Sequence, residues 1–378
     1  MGAGRQKADG DSDMGRNAMG RADGFAARLI AGLKARGTRH VFGVPGGGSS
    51  LDLIEACGLH DIPFVLTRGE TAAVLMAAVS GELTGAPGAA LTGVGPGAAS
   101  ALNGMAYAAL ERSPMVHFAD RIEPTPARPT WHQVFDQPAA FAPVSRAARW
   151  IRPDTPPADV AALLDLTVSA PNGPLHLDIV AAEAGQPASA LPDPQAAASA
   201  PVELPPRALD LIRGAERPVV IVGLQVRHAA TAVRTFADAL DAAVLTTYKA
   251  MGTVGDGEAR TVGQFTGGTA EAAVLNAADL IVLAGHDPIE MIPGAWGYDA
   301  PVLAVSSWDW AAAGGIPVPD MMVVGDPGRV LDRLVAAIRA DGGVPRRRAW
   351  QAEVARHRAD YRARLTYPAV AGLAPDRV

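Results

Sequence analysis

Between residues 62 and 114 the chain alternates two short apolar runs with two longer alanine-rich segments, and a polar or glycine turn follows each run. The first run, 62–66, gives way to Arg68-Gly69-Glu70 and then to a helical pattern over 71–79. The second, 89–92, leads through Gly93-Val94-Gly95-Pro96-Gly97 into a helix beginning near Ala98. Short, uniformly apolar runs separated by helices predict parallel strands covered on both faces. Ligands of such sheets bind at the carboxyl edge of the strands, which is where Glu70 falls. The helix over 71–79 is apolar almost all round, so it is expected to be buried. A carboxylate at its mouth is costly unless paired, exposed or used.

Position alone leaves two readings of Glu70 open. It is an acid in the first turn of a helix, favoured by the macrodipole and partly solvated; or it is a partly desolvated carboxyl that exchanges a proton with a ligand nitrogen. The glycine turn favours the second, because glycines let backbone approach a ligand and a helix N-terminus presents free N–H groups. A lone glycine-rich turn is weak support, since many are only tight turns.

The 378 residues suggest two or three domains with substantial cores. A hydrophobic content of 49% against 19% charged residues indicates a globular protein, and the net charge of −6 argues against nucleic acid as a partner. Cys57, the one cysteine, excludes an internal disulfide and a multi-cysteine metal site, and reads as a small core residue. No apolar run reaches membrane-spanning length. Residues 1–20 lack an apolar signal core and read as a disordered tail, so a cytoplasmic location is expected.

A first domain is expected over 21–185, with Phe25, Leu29, Ile30 and Leu33 on one helical stripe and strands near 40–42, 62–66, 88–92, 115–119 and 174–180. The proline- and alanine-rich stretch 186–206 reads as a linker. A second domain over 207–340 repeats the rhythm, with strands near 217–223, 244–247, 279–284 and 301–305. Its Gly223-Leu224-Gln225-Val226-Arg227 lacks the spaced glycines of a dinucleotide fingerprint. Over 346–365, Trp350, Val354, Tyr361 and Leu365 form one stripe of an amphipathic helix with a solvated basic face. The fold class expected is α/β, two doubly wound parallel-sheet domains.

Several blocks together resemble the pyrimidine-binding domain of thiamin-diphosphate (thiamine pyrophosphate) enzymes of the acetolactate synthase and 2-oxo-acid decarboxylase superfamily. They are Val41-Phe42-Gly43-Val44-Pro45-Gly46, Arg68-Gly69-Glu70 with Ala73, Met76 and Ala77, Thr84-Gly85-Ala86-Pro87-Gly88, Gly95-Pro96-Gly97 and Ser113-Pro114. His132-Gln133-Val134-Phe135-Asp136 and Phe141-Ala142-Pro143-Val144 resemble the next block of that family. The resemblance implies that Glu70 protonates the aminopyrimidine ring nitrogen of thiamin diphosphate, promoting the tautomer that removes the thiazolium C2 proton. It implies that Gly46, Gly47, Gly95 and Gly97 admit the pyrimidine, with Ser100 and Gln133 at the cleft. The second domain resembles the family's central domain, which holds FAD or an adenine nucleotide in some members and is empty in others.

The family's third domain binds the diphosphate through Mg²⁺, with a Gly-Asp-Gly motif and a later asparagine, because a hard cation needs oxygen ligands. Here Gly255-Asp256-Gly257 follows Tyr248-Lys249-Ala250-Met251-Gly252 in the central-domain region and Asn276 comes too soon, so a surface turn is expected and no metal ligand is assigned. Residues 341–378 read as the amphipathic helix and then, from Gly372 to Val378, as the approach to such a third domain. A fragment, a split-gene subunit and a degenerate paralogue all fit that reading. A partner chain is then expected to supply the Mg²⁺-diphosphate half, within a homo- or hetero-oligomer acting on a small 2-oxo acid. Three departures leave the substrate and outcome open: Ser100 where many members carry asparagine, Gly69 where many carry histidine, and no paired histidines. The alternative is a non-catalytic binding or regulatory subunit that keeps the fold without turnover.

Overall fold

The computed structural model describes residues 22–123, 132–194, 202–291 and 295–366; the tail expected over 1–20 and the segment Gly372 to Val378 lie outside them. The chain forms two compact units, Met1–Ala196 and Ala197–Val378.

The first unit is a six-stranded, all-parallel sheet of β1 (Val41–Val44), β2 (Phe64–Leu66), β3 (Gly88–Thr92), β4 (Met115–Arg121), β5 (Ala147–Ile151) and β6 (Pro174–Val180), in the order β2-β1-β3-β4-β6-β5. Helices α1 (Phe25–Ala35), α2 (Ser49–Leu59), α3 (Glu70–Thr84), α4 (Pro96–Leu110), α5 (Gln137–Phe141) and α6 (Pro157–Leu166) cover it. Leu29, Ile30 and Leu33 of α1, Leu53 of α2 and Leu164 of α6 pack with Phe118 and Leu177. Val74 and Ala77 of α3 and Ala101 and Met105 of α4 pack with Ala90 and Ala119 on the other face. Every residue of β3 and of β6 is buried, as a doubly covered parallel strand requires. Cys57 is in the core, and burial pushes its thiol up to about 12.

Three expectations change here. Helix α3 extends to Thr84, stopped by Gly85 at φ +70. It is buried on one side only: Met76, Val79 and Leu83 are exposed, Leu83 by 75%. The apolar pattern exceeds what the sheet of this chain covers. Strand β5 lies at the sheet edge and carries Arg149 and Trp150 outward, so it lacks the apolar run that announces a central strand. The front of the expected linker belongs to this unit: Ala188 N donates to Asp23 O (3.0 Å), and Leu191 lies against Gly32.

The second unit is also six-stranded and parallel, with β7 (Pro218–Val222), β8 (Ala243–Thr246), β9 (Thr261–Gln264), β10 (Leu280–Ala284), β11 (Val302–Ser306) and β12 (Met321–Val324) ordered β12-β11-β10-β7-β8-β9. Its edge strands β9 and β12 escaped the sequence pattern. Helices α7 (Pro206–Gly214), α8 (Ala230–Leu240) and α10 (Pro327–Ala340), with α10 following the short α9 (Ala272–Ala277), bury Ile212, Phe236, Leu240 and Leu334 on one core. The last helix, α11 (Arg348–Leu365), belongs to this unit and not to a separate segment. Trp350 Nε1 donates to Pro218 O (3.1 Å), and Tyr361 Oη accepts from Gln264 N (2.9 Å). Part of its basic face is engaged rather than solvated, because Arg358 and Arg362 both donate to Asp256 O (3.0 and 2.9 Å). The carbonyls of Asp256 and Gly257 thus receive a helix.

At the carboxyl ends of β7 and β8, the buried carboxyl of Glu290 accepts from Leu224 N (2.9 Å), Asp287 N (3.2 Å) and Thr247 Oγ1 (2.5 Å). Burial outweighs these donors and pushes Glu290 from 4.5 up to about 7. Burial pushes the neighbouring His286 from 6.5 down to about 4. Between about 4.5 and 7 the folded chain holds the Glu290 proton that the unfolded chain has released, so this contribution is full below the unfolded value and is lost as pH rises through 7. His286 has the opposite sign: its contribution is lost as pH falls from 6.5 through 4. Glu290→Gln removes only the first effect. The stability difference, wild type minus variant, is expected to fall by on the order of 3 kcal/mol between pH 4.5 and 8 in urea titrations. A difference that stays flat across that range would refute it.

Candidate active site

The strand order of the first unit reverses at β1, which pairs with β2 on one side and β3 on the other. The crevice of such a sheet lies outside the carboxyl ends of those strands. Two glycine turns meet there, one after β1 and one after β3. A Cβ on Gly46 would stand 3.0 Å from Gly93 Cα and 2.5 Å from Asp120 Oδ2, so only glycine permits the approach. Asp120, buried at the end of β4, accepts from Ser49 Oγ (2.6 Å), Ser50 N (2.8 Å) and Ser50 Oγ (3.1 Å). It thereby caps α2, whose own N-cap, Gly48, has no side chain to do so. Ser50 Oγ in turn accepts from Gly46 N (2.9 Å).

The second turn is held more tightly. Gly95 has φ +61, and a Cβ there would lie 1.9 Å from Gln133 O. Its N–H donates to Gln137 Oε1 (2.8 Å), while Gln137 Nε2 donates to Asp178 Oδ1 (2.7 Å) and Asp120 O (3.2 Å). Behind Asp178 the polar chain continues through the sheet. Arg121 pairs with Asp178 Oδ2 (3.2 Å), His176 Nε2 lies 2.9 Å from Oδ1, and His176 Nδ1 lies 3.0 Å from His117 Nδ1. His117 Nε2 reaches Thr92 Oγ1 at 3.0 Å, and Phe141 stacks on His176 with ring centroids 3.9 Å apart. Burial, with His176 alongside, pushes His117 well below its usual range, so it stays neutral in the core.

Glu70 opens α3 and is half-buried. A Cβ on Gly97 would stand 3.6 Å from Glu70 Oε1, so the carboxyl faces the first turn of α4. Among the described residues no hydrogen bond or ion pair engages that carboxyl. Gly46, Glu70, Gly95 and Gly97 are thus brought around one crevice. Gly47 sits in the same turn as Gly46, and a Cβ on it would meet nothing within 4 Å among the described residues. Ser100 is exposed: its Oγ donates within its own helix to Pro96 O (2.9 Å), and its carbonyl accepts from Thr71 Oγ1 of α3 (2.5 Å). Gln133 is exposed at φ +69, and what it brings to the Gly95 turn is its backbone carbonyl. Among the described residues there is no group of three or more His, Cys, Asp or Glu suited to a metal.

Sequence reasoning passed over Gln137, Asp120, Asp178 and the His117–His176 pair. A signal existed: histidines and aspartates inside otherwise apolar parallel strands must find partners. Which partners they find is a matter of tertiary structure.

Residues 24–140 match the family model described as thiamine pyrophosphate enzyme, N-terminal TPP binding domain, and 206–334 match that of the thiamine pyrophosphate enzyme central domain. The chain belongs to the thiamine pyrophosphate enzymes. It is 28% identical over 338 residues to the catabolic acetolactate synthase of Raoultella terrigena, covering 82% of this chain and 57% of that protein. It is 29% identical over 298 residues to the acetolactate synthase of Bacillus subtilis strain 168, covering 72% and 49%. A 2-hydroxyacyl-CoA lyase of Oryza sativa subsp. japonica is 33% identical over 211 residues, covering 50% and 36%. The chain spans about half the length of the curated relatives it matches. In this thiamine pyrophosphate enzyme chain, the crevice with Gly46, Glu70, Gly95 and Gly97 lies wholly within the N-terminal match.

The two turns predict different tolerance to a methyl group. Gly95→Ala must leave φ +61 or displace Gln133, at a cost of about 1–3 kcal/mol for the backbone alone. Gly47→Ala meets open space and is expected within about 0.5 kcal/mol of wild type. Equal losses for both in chemical denaturation would contradict this geometry.

Proposed function

We propose that this chain is the thiamin-diphosphate-binding component of an acetolactate-synthase-like enzyme, forming or breaking a carbon–carbon bond next to the carbonyl of a small 2-oxo acid. One observation carries the reading: the half-buried Glu70 carboxyl, without a protein partner among the described residues, faces the Gly95–Gly97 turn at the switch point. The residues fit the aminopyrimidine end of the cofactor, since a flat heteroaromatic ring needs bare backbone beside it, which Gly97 supplies next to Glu70 and Gly47 supplies where no described atom lies within 4 Å of its missing Cβ. When bound, thiamin diphosphate supplies the electron sink that such bond changes require. This chain's part is to place the ring and move one proton. Glu70, as the acid, hands its proton to the aminopyrimidine ring nitrogen and, as the carboxylate, takes it back.

The Mg²⁺-diphosphate half and a cytoplasmic location belong to the same proposal, the metal being held by a partner chain. The exposed Leu66, Met76, Val79 and Leu83, with Leu102 and Leu110 of α4, support an oligomer in which another chain covers α3 and α4. A well-behaved monomer in light scattering at micromolar concentration, with and without the partner, would contradict the oligomer.

The 378-residue chain alone is expected to hold thiamin diphosphate weakly, because the diphosphate charge dominates anchoring and no acid cluster for its cation occurs among the described residues. Calorimetric titration with cofactor and Mg²⁺ tests this, and submicromolar binding would sink it.

Glu70→Gln keeps shape and volume, so the fold is expected to persist while activity of the reconstituted complex falls roughly 10²–10⁴-fold. A helix-terminus charge alone would change stability by about 0.3–1 kcal/mol and leave activity nearly intact. NMR of C2-proton exchange on bound cofactor separates the two. Exchange as fast as wild type would remove Glu70 from proton transfer.

A further inference from the structure

The second unit has its own reversal of strand order, between β7 and β10. Sheets wound in this order take a ligand phosphate at that place, on N–H groups of the turn after the first strand. In this chain a side chain stands there. Glu290, on the turn Pro288–Glu290 that follows β10, directs its carboxyl toward the ends of β7 and β8. Oε2 accepts from Leu224 N (2.9 Å), in the turn after β7, and Oε1 accepts from Thr247 Oγ1 (2.5 Å), just beyond β8. The third donor, Asp287 N, belongs to a capping box and needs no further explanation. The other two come from the turns after two separate strands, and no local turn requires them. His286, only 1% exposed, brings Nδ1 to 3.7 Å from Oε2, and neither of its ring nitrogens has a hydrogen-bond partner among the described residues.

The turns on either side are also shut against a diphosphate. A Cβ on Gly223 would lie 2.3 Å from His286 Cα, so the two backbones are in contact across the switch point. Gln225 N donates to Gly285 O (2.9 Å), and Gln225 Oε1 accepts from Ser307 N (2.8 Å) and Ser307 Oγ (3.0 Å). Strand β8 runs out into Thr246-Thr247, where an acid for a ribose hydroxyl would stand in a dinucleotide site.

We propose that the Glu290 carboxyl fills the switch point of the second unit, so that this crevice takes no nucleotide phosphate. The donors around it then form an anion site that accepts a small free carboxylate once the side chain is cut back. The inference is independent of the role proposed for Glu70, which lies in the other unit.

The full chain tests it by thermal unfolding at pH 8, in tens of millimolar sodium acetate against the same concentration of sodium chloride. Acetate is expected to raise the Tm of Glu290→Ala by several degrees through mass action on the opened nest. Wild type and Glu290→Gln, whose nests remain filled, are expected to respond to the two salts alike. In parallel, FAD, NAD and ADP titrated into wild type are expected to give no saturable binding. An acetate effect equal in all three proteins, or no acetate effect on folded Glu290→Ala, overturns the anion site. Saturable nucleotide binding by wild type overturns the filled crevice, and that arm stands even where Glu290→Ala does not fold.

Discussion

One side-chain amide, that of Gln137, fastens three buried polar groups at the crevice of the first unit: Gly95 N–H, the Asp178 carboxylate and the Asp120 carbonyl. Each of these would cost about 1–3 kcal/mol if left without a partner in the core. The turn held in this way starts α4 from a conformation that suits glycine, and the first turn of α4 is what Glu70 faces. The amide also joins the glycine turn to Asp178, and through it to His176, His117 and Thr92 inside the sheet. A parallel sheet covered on both faces can display chemistry only at its strand ends, so rigidity at those ends decides what the crevice can bind.

The two units face the same topological situation and resolve it in opposite ways. Each reverses its strand order between two adjacent parallel strands, and each places a glutamate nearby. Glu70 is half-buried at a helix mouth with no partner for its carboxyl among the described residues. Glu290 is buried and receives three hydrogen bonds. A carboxyl saturated by its own chain is part of the architecture, whereas one left open at a crevice is available to a ligand. Membership in the thiamine pyrophosphate enzymes accounts for the shared plan of the two sheets, and the donors around each glutamate account for the difference between them.

Much of this plan is local and therefore readable from residue order. The apolar runs that became β3, β7 and β10 are uniformly buried strands, because a strand covered on both sides cannot alternate with polar residues. The turn at 93–97 and the acid after β2 are likewise visible as chemistry placed where a strand ends. Edge strands other than β2 are another matter. β5, β9 and β12 each pair with one neighbour only, so part of their surface is free to carry residues such as Arg149 and Trp150.

Residue order by itself determined that this chain would make covered parallel sheets, where their central strands run, and that Glu70 and two glycine turns follow strand ends. Only the tertiary structure decided which groups meet. Gln137 reaches Asp178 across 41 residues, Trp350 reaches Pro218 across 132, and Glu290 reaches Leu224 across 66. It also decided that α3 keeps an open apolar face, since burial depends on what packs opposite and not on the helix alone. Hydrogen bonds between such distant groups are fixed by where strands land in the sheet, and no local pattern of residues encodes that register.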